Sequence, residues 1–279
     1  MYLTIKAYSK QSYFQFYNKI GGAKKDFNKE ILFDRIIYQN VKINFYNNLT
    51  ILFNFDNDLG QLLEEEIEIL IDHNIYVGSD EVGVGEKIGP IIVCATKFLN
   101  FKAKKDAILE TGGIKDSKKL DAKKISIISE KIKKYLDYKC IVLEPSKYNQ
   151  FLKEGKNTKE INALMHHQLQ KHFLNKKRPE IFVIDQFVNK SKYFEYLKRN
   201  NQADINIEIV LQEKGEEKYL EIACAAIIAK SKYNNWIYEY FKNKNLSFLI
   251  KGKKINTIDI VKNIEMNRND FENLFKDWN

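Results

Sequence analysis

Two adjacent carboxylates, Asp80 and Glu81, lie in the stretch of the chain where chemistry is most readily expected. A short β-type run, residues 75–77, precedes them, and a glycine-rich loop, residues 83–89, follows them. Carboxylates supply the hard oxygen ligands that Mg²⁺ prefers, and glycines let backbone N–H groups approach a phosphate that a side chain would keep away. We interpret the stretch as a candidate metal and phosphate site. The alternative is a hairpin that carries surface acids.

Further acids follow other predicted elements. Asp185 ends the apolar run of residues 181–184, which is typical of a strand buried on both faces. In open α/β sheets, ligands bind at the carboxyl ends of the strands. Glu216 and Glu217 lie at the start of a long apolar helix, where carboxylates complement the helix dipole. Helix capping is the alternative role for all three of these acids.

Carboxylates without a Ser/His/Asp arrangement, a P-loop or zinc-type spacing favour phosphoryl chemistry with two Mg²⁺ ions, roughly 3.5–4 Å apart. The net charge of +9 and the isoelectric point of 9.1 indicate a polyanionic partner, either nucleic acid or an anionic membrane surface. The first 54 residues hold eight Lys or Arg against three acids, so part of this charge lies near the N-terminus.

A length of 279 residues favours two domains, and 44% hydrophobic residues are enough for a packed core. Cys94, Cys140 and Cys224 lie in apolar runs without disulfide or zinc spacing, so we expect buried small hydrophobic residues. The chain shows neither an apolar signal core at its start nor a stretch long enough to span a membrane. We therefore expect a cytoplasmic protein without membrane partners.

The pattern of elements predicts a small basic α+β module, residues 1–72, followed by a region of alternating strands and helices. Within the module, residues 41–46 and 49–53 predict a hairpin whose two central asparagines, residues 47 and 48, suit a type I′ turn. An acidic amphipathic helix in residues 55–72 closes the module. Beyond it we predict strands at 90–98, 138–143, 181–185 and 205–211, and helices at about 117–136, 145–154, 158–174, after residue 217, and 257–275.

Six motifs occur in the order typical of one family. They are Gly78-Ser79-Asp80-Glu81-Val82-Gly83-Val84-Gly85 with Gly89-Pro90; residues 115–120; Asn157 with Ala163-Leu164-Met165-His166; residues 184–187; residues 214–216; and residues 223–230. Together they span about residues 76–233. In this respect the chain resembles the type 2 ribonucleases H, and in particular the bacterial ribonuclease HIII group. Two features of the chain resemble that group in particular: its fourth acid is Glu, and an additional module precedes the motifs.

The resemblance implies an α/β fold: an RNase H-like mixed five-stranded sheet flanked by helices, with a small N-terminal α+β domain similar to the TATA-binding protein. The domains would be residues 1–72, which bind substrate, and residues 73–279, which are catalytic. The activity implied is hydrolysis of the RNA strand of RNA–DNA hybrids with Mg²⁺, or with Mn²⁺ as the alternative. The implied metal-binding and catalytic acids are Asp80, Glu81, Asp185 and Glu216.

The same resemblance places substrate contacts at two loops. The backbone of Gly83, Val84 and Gly85 would lie in the RNA minor groove and sense 2′-hydroxyl groups. Ser117, Lys118 and Lys119 would hold phosphates. The tail after residue 236 departs from the family pattern, and Val84 replaces a residue that is polar in many relatives. His166 matches a family position, but the sequence indicates no chemical role for it.

Two other functions stay open at this point. One is ribonuclease HII-type cleavage at a single embedded ribonucleotide. The other is a hybrid-binding protein without catalysis, in which the acids are structural and the basic module binds. We expect the protein to act as a monomer.

Overall fold

The computed structural model describes residues 1–22, 32–56, 59–114, 120–174, 181–202, 205, 207–244 and 272–276. The chain forms two compact units. The first comprises Met1–Ile75, Phe98–Ile114 and Lys134–Leu136, and the second comprises Tyr76–Lys97, Lys115–Lys133 and Asp137–Asn279. A domain boundary near residue 73 stays a prediction.

The first unit is built on a four-stranded antiparallel sheet with the order β1-β4-β3-β2. Its elements are β1 (Tyr2–Lys6), α1 (Lys10–Lys19), β2 (Leu32–Tyr38), β3 (Val41–Tyr46) and β4 (Thr50–Asn54). Ser9 caps α1, because its hydroxyl accepts the N–H of Ser12. Aromatic rings of α1 pack on one face of the sheet, and Tyr17 meets Phe45 edge to face with 5.0 Å between ring centres.

The predicted hairpin is present, but its turn differs from the prediction. Leu49, rather than an asparagine, adopts a positive φ of 66°, and its N–H donates to the carbonyl of Tyr46 at 3.0 Å. The loop therefore has three residues, and β4 begins at Thr50. The type I′ turn was a wrong prediction because asparagine tolerates a positive φ without requiring it.

The first unit also contains α2 (Gln61–Glu66), which continues into a 3₁₀ turn (Ile67–Leu70), and α3 (Phe101–Thr111). The acidic helix was predicted, whereas α3 was not. Asn100 caps α3 with its side-chain oxygen, which accepts the N–H of Ala103 at 2.8 Å. After α3, the carbonyl of Gly112 accepts the N–H of Thr4 at 3.0 Å.

The second unit contains the predicted mixed five-stranded sheet, with the order β7-β6-β5-β8-β9. The strands are β5 (Val77–Val82), β6 (Ile91–Phe98), β7 (Leu136–Leu143), β8 (Ile181–Asp185) and β9 (Glu208–Gln212). β5 pairs antiparallel with β6 and parallel with β8, which itself pairs parallel with β9. β5 is thus an interior strand, and its neighbours supply the backbone partners that it needs.

In the described part of this unit, the sheet is accompanied by helices α4 (Ala122–Lys133), α5 (Pro145–Lys153), α6 (Thr158–Leu174), α7 (Lys190–Arg199) and α8 (Leu220–Asn243). One close approach between helix and sheet is at Gly78. A Cβ atom there would lie 2.4 Å from the backbone nitrogen of Ile222, so α8 can lie this close to β5 only because residue 78 is glycine. The predicted bounds of α6 and β8 are confirmed. Most of the predicted helix at 257–275 lies outside the described residues.

Cys94 and Cys140 form a disulfide, so the expectation of unlinked cysteines was wrong for this pair. They lie on the neighbouring strands β6 and β7, and 46 residues of sequence separate them. Sequence spacing did not reveal the pairing, because it depends on which strands become neighbours in the sheet. Cys224 is buried in α8, as expected. Within the described segments, no helix combines the length and the apolar character needed to cross a bilayer.

Candidate active site

The first two acids belong to strand β5 itself. The sequence predicted a strand that ends at residue 77 and a loop that carries the acids, whereas β5 continues to Val82. Because side chains alternate along a strand, Asp80 projects from the face opposite to Ser79 and Glu81. Two adjacent acids next to a glycine suggested a loop. Backbone pairing with β6 on one side and β8 on the other instead makes these residues part of the strand.

Asp185 is the last residue of β8, the parallel neighbour of β5. Its Oδ1 accepts the backbone N–H of Gly215 at 2.7 Å, which links β8 to the turn that carries the fourth acid. That turn is a short 3₁₀ segment, Gly215–Glu217, and α8 begins only at Leu220. The two glutamates therefore precede α8 instead of occupying its first turn. Within the turn, Glu216 is half-buried and Glu217 is exposed.

The electrostatics of Asp80 indicate that the acids converge. Burial raises the pKa of the Asp80 carboxyl well above its usual range, and the charges of Glu81, Asp185 and Glu216 raise it further. The backbone N–H of Glu81 donates to Asp80 Oδ1 at 2.7 Å and partly opposes this shift. The structure thus brings together the four acids predicted from the sequence, and it favours Glu216 over Glu217.

Glu81 is held by a histidine that the sequence had left without a role. Its Oε2 lies 3.1 Å from Nε2 of His166 on α6, and Nδ1 of that ring lies 2.8 Å from the hydroxyl of Ser79. The His166 side chain has no exposed surface. Helical periodicity places His166 on α6 but does not show which strand α6 packs against, so this contact was not predicted.

The chemistry of the four acids fits divalent cations. Aspartate and glutamate offer the hard oxygen ligands that Mg²⁺ and Mn²⁺ bind. A cation would offset the charges of Glu81, Asp185 and Glu216, which add to burial in raising the pKa of Asp80. In the part of the chain that the structure describes, no three His, Cys, Asp or Glu side chains already have the geometry of a metal site. By the chemistry of their side chains, Asp80, Glu81, Asp185 and Glu216 could hold a divalent cation, and their role as metal ligands stays a prediction.

The glycine loop begins directly after β5. Gly83 has a φ of 90°, and a Cβ atom there would lie 2.2 Å from the carbonyl oxygen of Pro90. Only glycine suits both the backbone conformation and the space. Val84 and Gly85 are exposed at the loop tip, and a Cβ on Gly85 would meet nothing within 4 Å. Of the predicted loop residues, Val84 and Gly85 therefore present accessible backbone, whereas Gly83 is buried and its carbonyl accepts the Lys276 ammonium.

A short C-terminal segment, residues 272–276, packs against this loop. The Gly89 N–H donates to the carbonyl of Leu274 at 2.8 Å, and the Lys276 N–H donates to the carbonyl of Lys87 at 2.8 Å. The Lys276 ammonium also donates to the carbonyl of Gly83. Burial lowers the pKa of Lys276 to about 8, although the charge of Glu86 acts in the opposite direction. This segment was not predicted to take part in the site.

The second predicted substrate loop is the one that contains residues 117–119. Ser117, Lys118 and Lys119 lie outside the described residues. Their contact with phosphates stays a prediction.

Comparison with known proteins identifies the family. A family model described as Ribonuclease HII matches residues 77–264. Over 221 residues the chain is 30% identical to Ribonuclease HIII of Phytoplasma mali, an alignment that covers 79% of this chain and 73% of that protein. The chain belongs to the ribonuclease HIII family. Ribonuclease HIII of Listeria monocytogenes is 35% identical over 160 residues, which is 56% of this chain and 51% of that protein.

The fold agrees with this family. A crystal structure of Bst-RNase HIII in complex with Mn²⁺ superposes with a TM-score of 0.66 at 22% sequence identity. The superposition covers 99% of this chain and 95% of that one. The mixed five-stranded sheet flanked by helices and the N-terminal α+β module, both expected from the sequence, are therefore confirmed as a ribonuclease HIII fold, and the structure adds that the module contains a four-stranded sheet.

Proposed function

We propose that this ribonuclease HIII family member is a divalent-metal-dependent endoribonuclease that hydrolyses the RNA strand of RNA–DNA hybrids and leaves 5′-phosphate and 3′-hydroxyl ends. The observation that carries the proposal is that Asp80 and Glu81 lie on β5, next to the strand β8 that ends in Asp185, and that Asp185 accepts the N–H of Gly215, the residue before Glu216. A binding protein without catalysis would have no need to bring four carboxylates to one edge of a sheet against their repulsion. Family membership supports the same reaction.

The metal ligands in this proposal are Asp80, Glu81, Asp185 and Glu216, with Mg²⁺ as the physiological ion. Bound divalent ions supply Lewis-acid stabilisation of the charge on the attacking and leaving oxygens. The protein contributes the placement of its carboxylates. Asp80 is fixed by the backbone of β5, and Asp185 is fixed by the Gly215 N–H, so little reorganisation is needed when substrate arrives.

Recognition of RNA would come from the tip of the glycine loop. Val84 and Gly85 are exposed, and the carbonyl of the buried Gly83 beneath them accepts the Lys276 ammonium. A loop without bulky side chains can enter the shallow minor groove, where the 2′-hydroxyl distinguishes RNA from DNA.

The first unit offers a second nucleic-acid surface. The face of its sheet opposite α1 carries the exposed Lys6 and Lys42, which the strand alternation places on the same side as Tyr2. Arg35 lies on this face as well, and its Nε donates to Asn44 Oδ1 at 2.8 Å. Basic side chains interleaved with polar and aromatic ones suit contact with a nucleic-acid backbone, and this contact would weaken with added salt.

Cleavage of a labelled RNA–DNA hybrid with and without Mg²⁺ or Mn²⁺ tests the proposal. Asp185→Asn is the sharpest variant, because asparagine keeps the oxygen that accepts the Gly215 N–H while the charge is lost. We expect metal-dependent cleavage by the wild type and a loss of at least about a hundredfold in Asp185→Asn. Glu216→Gln should lose activity in the same way, whereas the exposed Glu217→Gln is the matched control that keeps it.

Two outcomes would redirect the assignment. Folded wild-type protein that binds the hybrid equally well with and without metal, and does not cut it, would favour the hybrid-binding function. A second substrate, a DNA duplex with one embedded ribonucleotide, separates the nuclease types. Preferential cleavage of that duplex over a run of ribonucleotides would favour ribonuclease HII-type specificity.

A further inference from the structure

His166 occupies an unusual position for a histidine in the middle of a long helix. It lies within α6, its side chain has no exposed surface, and both of its ring nitrogens contact residues of β5. Burial of an imidazole requires hydrogen-bond partners. Here one of the two partners is Glu81, an acid of the candidate active site.

The chemistry of the partners determines the direction of each hydrogen bond. An ionised carboxylate only accepts, so the Nε2–H of His166 donates to Glu81 Oε2 at 3.1 Å. When the ring is neutral, Nδ1 then accepts the hydroxyl proton of Ser79 at 2.8 Å. Ser79 is buried on β5, where it pairs with β6 and β8. The ring is therefore oriented from the same strand that carries Glu81.

A second contact fixes the plane of the ring. The His166 ring stacks on Phe187, with 5.3 Å between the ring centres and an angle of 15° between the planes. Phe187 follows Asp185 by two residues, beyond the end of β8. The ring is therefore held by Ser79 on β5 and by Phe187 in the segment that follows β8.

We propose that His166 is a positioning residue that holds the Glu81 carboxylate in the orientation required for metal binding. The inference rests on the proposed function, since it takes Glu81 to be a metal ligand. One oxygen of Glu81 is fixed by the imidazole, so the carboxylate does not need to be ordered when the ion binds. Loss of such outer hydrogen bonds typically reduces metal affinity by about 10–100-fold.

The alternative is that Glu81 and Ser79 merely satisfy a buried histidine. The two roles differ in which contacts of the ring nitrogens they require. Positioning requires the Nε2 contact with Glu81, whereas a purely structural role is served equally by either contact. A pair of amide substitutions separates the two nitrogens. The amide nitrogen of glutamine is as many bonds from the backbone as Nε2 of histidine. The amide oxygen and nitrogen of asparagine are as many bonds from the backbone as Nδ1 of histidine.

The experiment measures Mn²⁺ binding to the full-length protein without nucleic acid, by the decrease of the free-ion electron paramagnetic resonance signal. The unfolding free energy of each variant is measured in the same buffer. We expect His166→Asn, which keeps the Ser79 contact and loses the Glu81 contact, to weaken Mn²⁺ binding by about 10–100-fold. We expect His166→Gln, which keeps the Glu81 contact, to bind within about threefold of the wild type.

Two results would overturn the inference. One is wild-type affinity in a folded His166→Asn protein. The other is an equal loss of affinity in both variants, in proportion to their loss of stability. If His166→Asn does not fold, Ser79→Ala replaces it. That variant keeps the ring but removes its anchor on β5, and it should weaken Mn²⁺ binding by a smaller factor. An unchanged affinity in Ser79→Ala would then contradict the positioning role.

Glu81→Gln distinguishes failure of this inference from failure of the proposed function. If Glu81→Gln binds Mn²⁺ as the wild type does, Glu81 is not a metal ligand, and the proposed metal site itself is wrong. If Glu81→Gln binds weakly and His166→Asn binds normally, the metal site stands and only the positioning role of His166 is refuted.

Discussion

The buried ammonium of Lys276 makes a quantitative prediction about stability and pH. This lysine lies in the C-terminal segment that packs on the glycine loop, and burial lowers its pKa from the usual 10.5 to about 8. Between pH 8 and pH 10.5, this lysine is therefore more fully protonated in the unfolded chain than in the folded protein. Stability is reduced below pH 8, and it rises as the pH increases from about 8 towards 10.5.

The size of the effect follows from the two pKa values. Between pH 7 and pH 9.5, the linkage relation gives a gain of about 2 kcal/mol in the free energy of unfolding from this one group. Methionine has a similar length and no charge, so Lys276→Met removes this gain. The wild type should become more stable relative to Lys276→Met by about 2 kcal/mol over the same interval.

Urea denaturation of both proteins at pH 7, 8.5 and 9.5 measures the difference. Subtracting one protein from the other cancels the contribution of buried tyrosines such as Tyr193, whose pKa is raised by burial. Lys153→Met, at an exposed lysine of α5, is the matched control and should run parallel to the wild type. Parallel curves for the wild type and Lys276→Met would show that the ammonium is not buried against the loop, and the account of the C-terminal segment would be wrong.

Two further predictions concern the acids and the glycine loop. Asp80→Asn should abolish cleavage yet raise the stability of the metal-free protein at pH 7. Because the pKa of Asp80 is raised in the folded protein, the stability that the protonated carboxyl contributes is lost as the pH rises above about 4. Asparagine carries no charge to repel Glu81, so the variant does not lose this stability. A less stable Asp80→Asn protein in urea would contradict this. Gly85→Ala should raise KM for the hybrid with unfolding free energy within about 0.5 kcal/mol of the wild type, because its Cβ meets no protein atom. Gly83→Ala should instead be destabilised, since its Cβ would meet the Pro90 carbonyl; equal stability of the two alanine variants would refute the distinction.

Much of the fold could be predicted because it depends on local patterns. The apolar run that ends in Asp185 predicted β8 with its observed bounds, and the apolar stripe of residues 158–174 predicted α6. Short elements without a strong pattern were harder. Helix α3 was missed, and the turn before β4 has its positive φ at Leu49 rather than at an asparagine. In such segments, weak local preferences yield to the packing of the whole unit.

The sequence by itself determined the identity of the acids and their order along the chain, because ordered motifs carry that information without reference to contacts. Only the tertiary structure decided what surrounds them. His166 reaches Glu81 across 85 residues of sequence, and Lys276 reaches Gly83 across 193. Strand pairing also decided that Cys94 and Cys140 are neighbours. Such contacts depend on which elements pack together, and that choice is set by the burial of entire helix and sheet faces rather than by any local pattern.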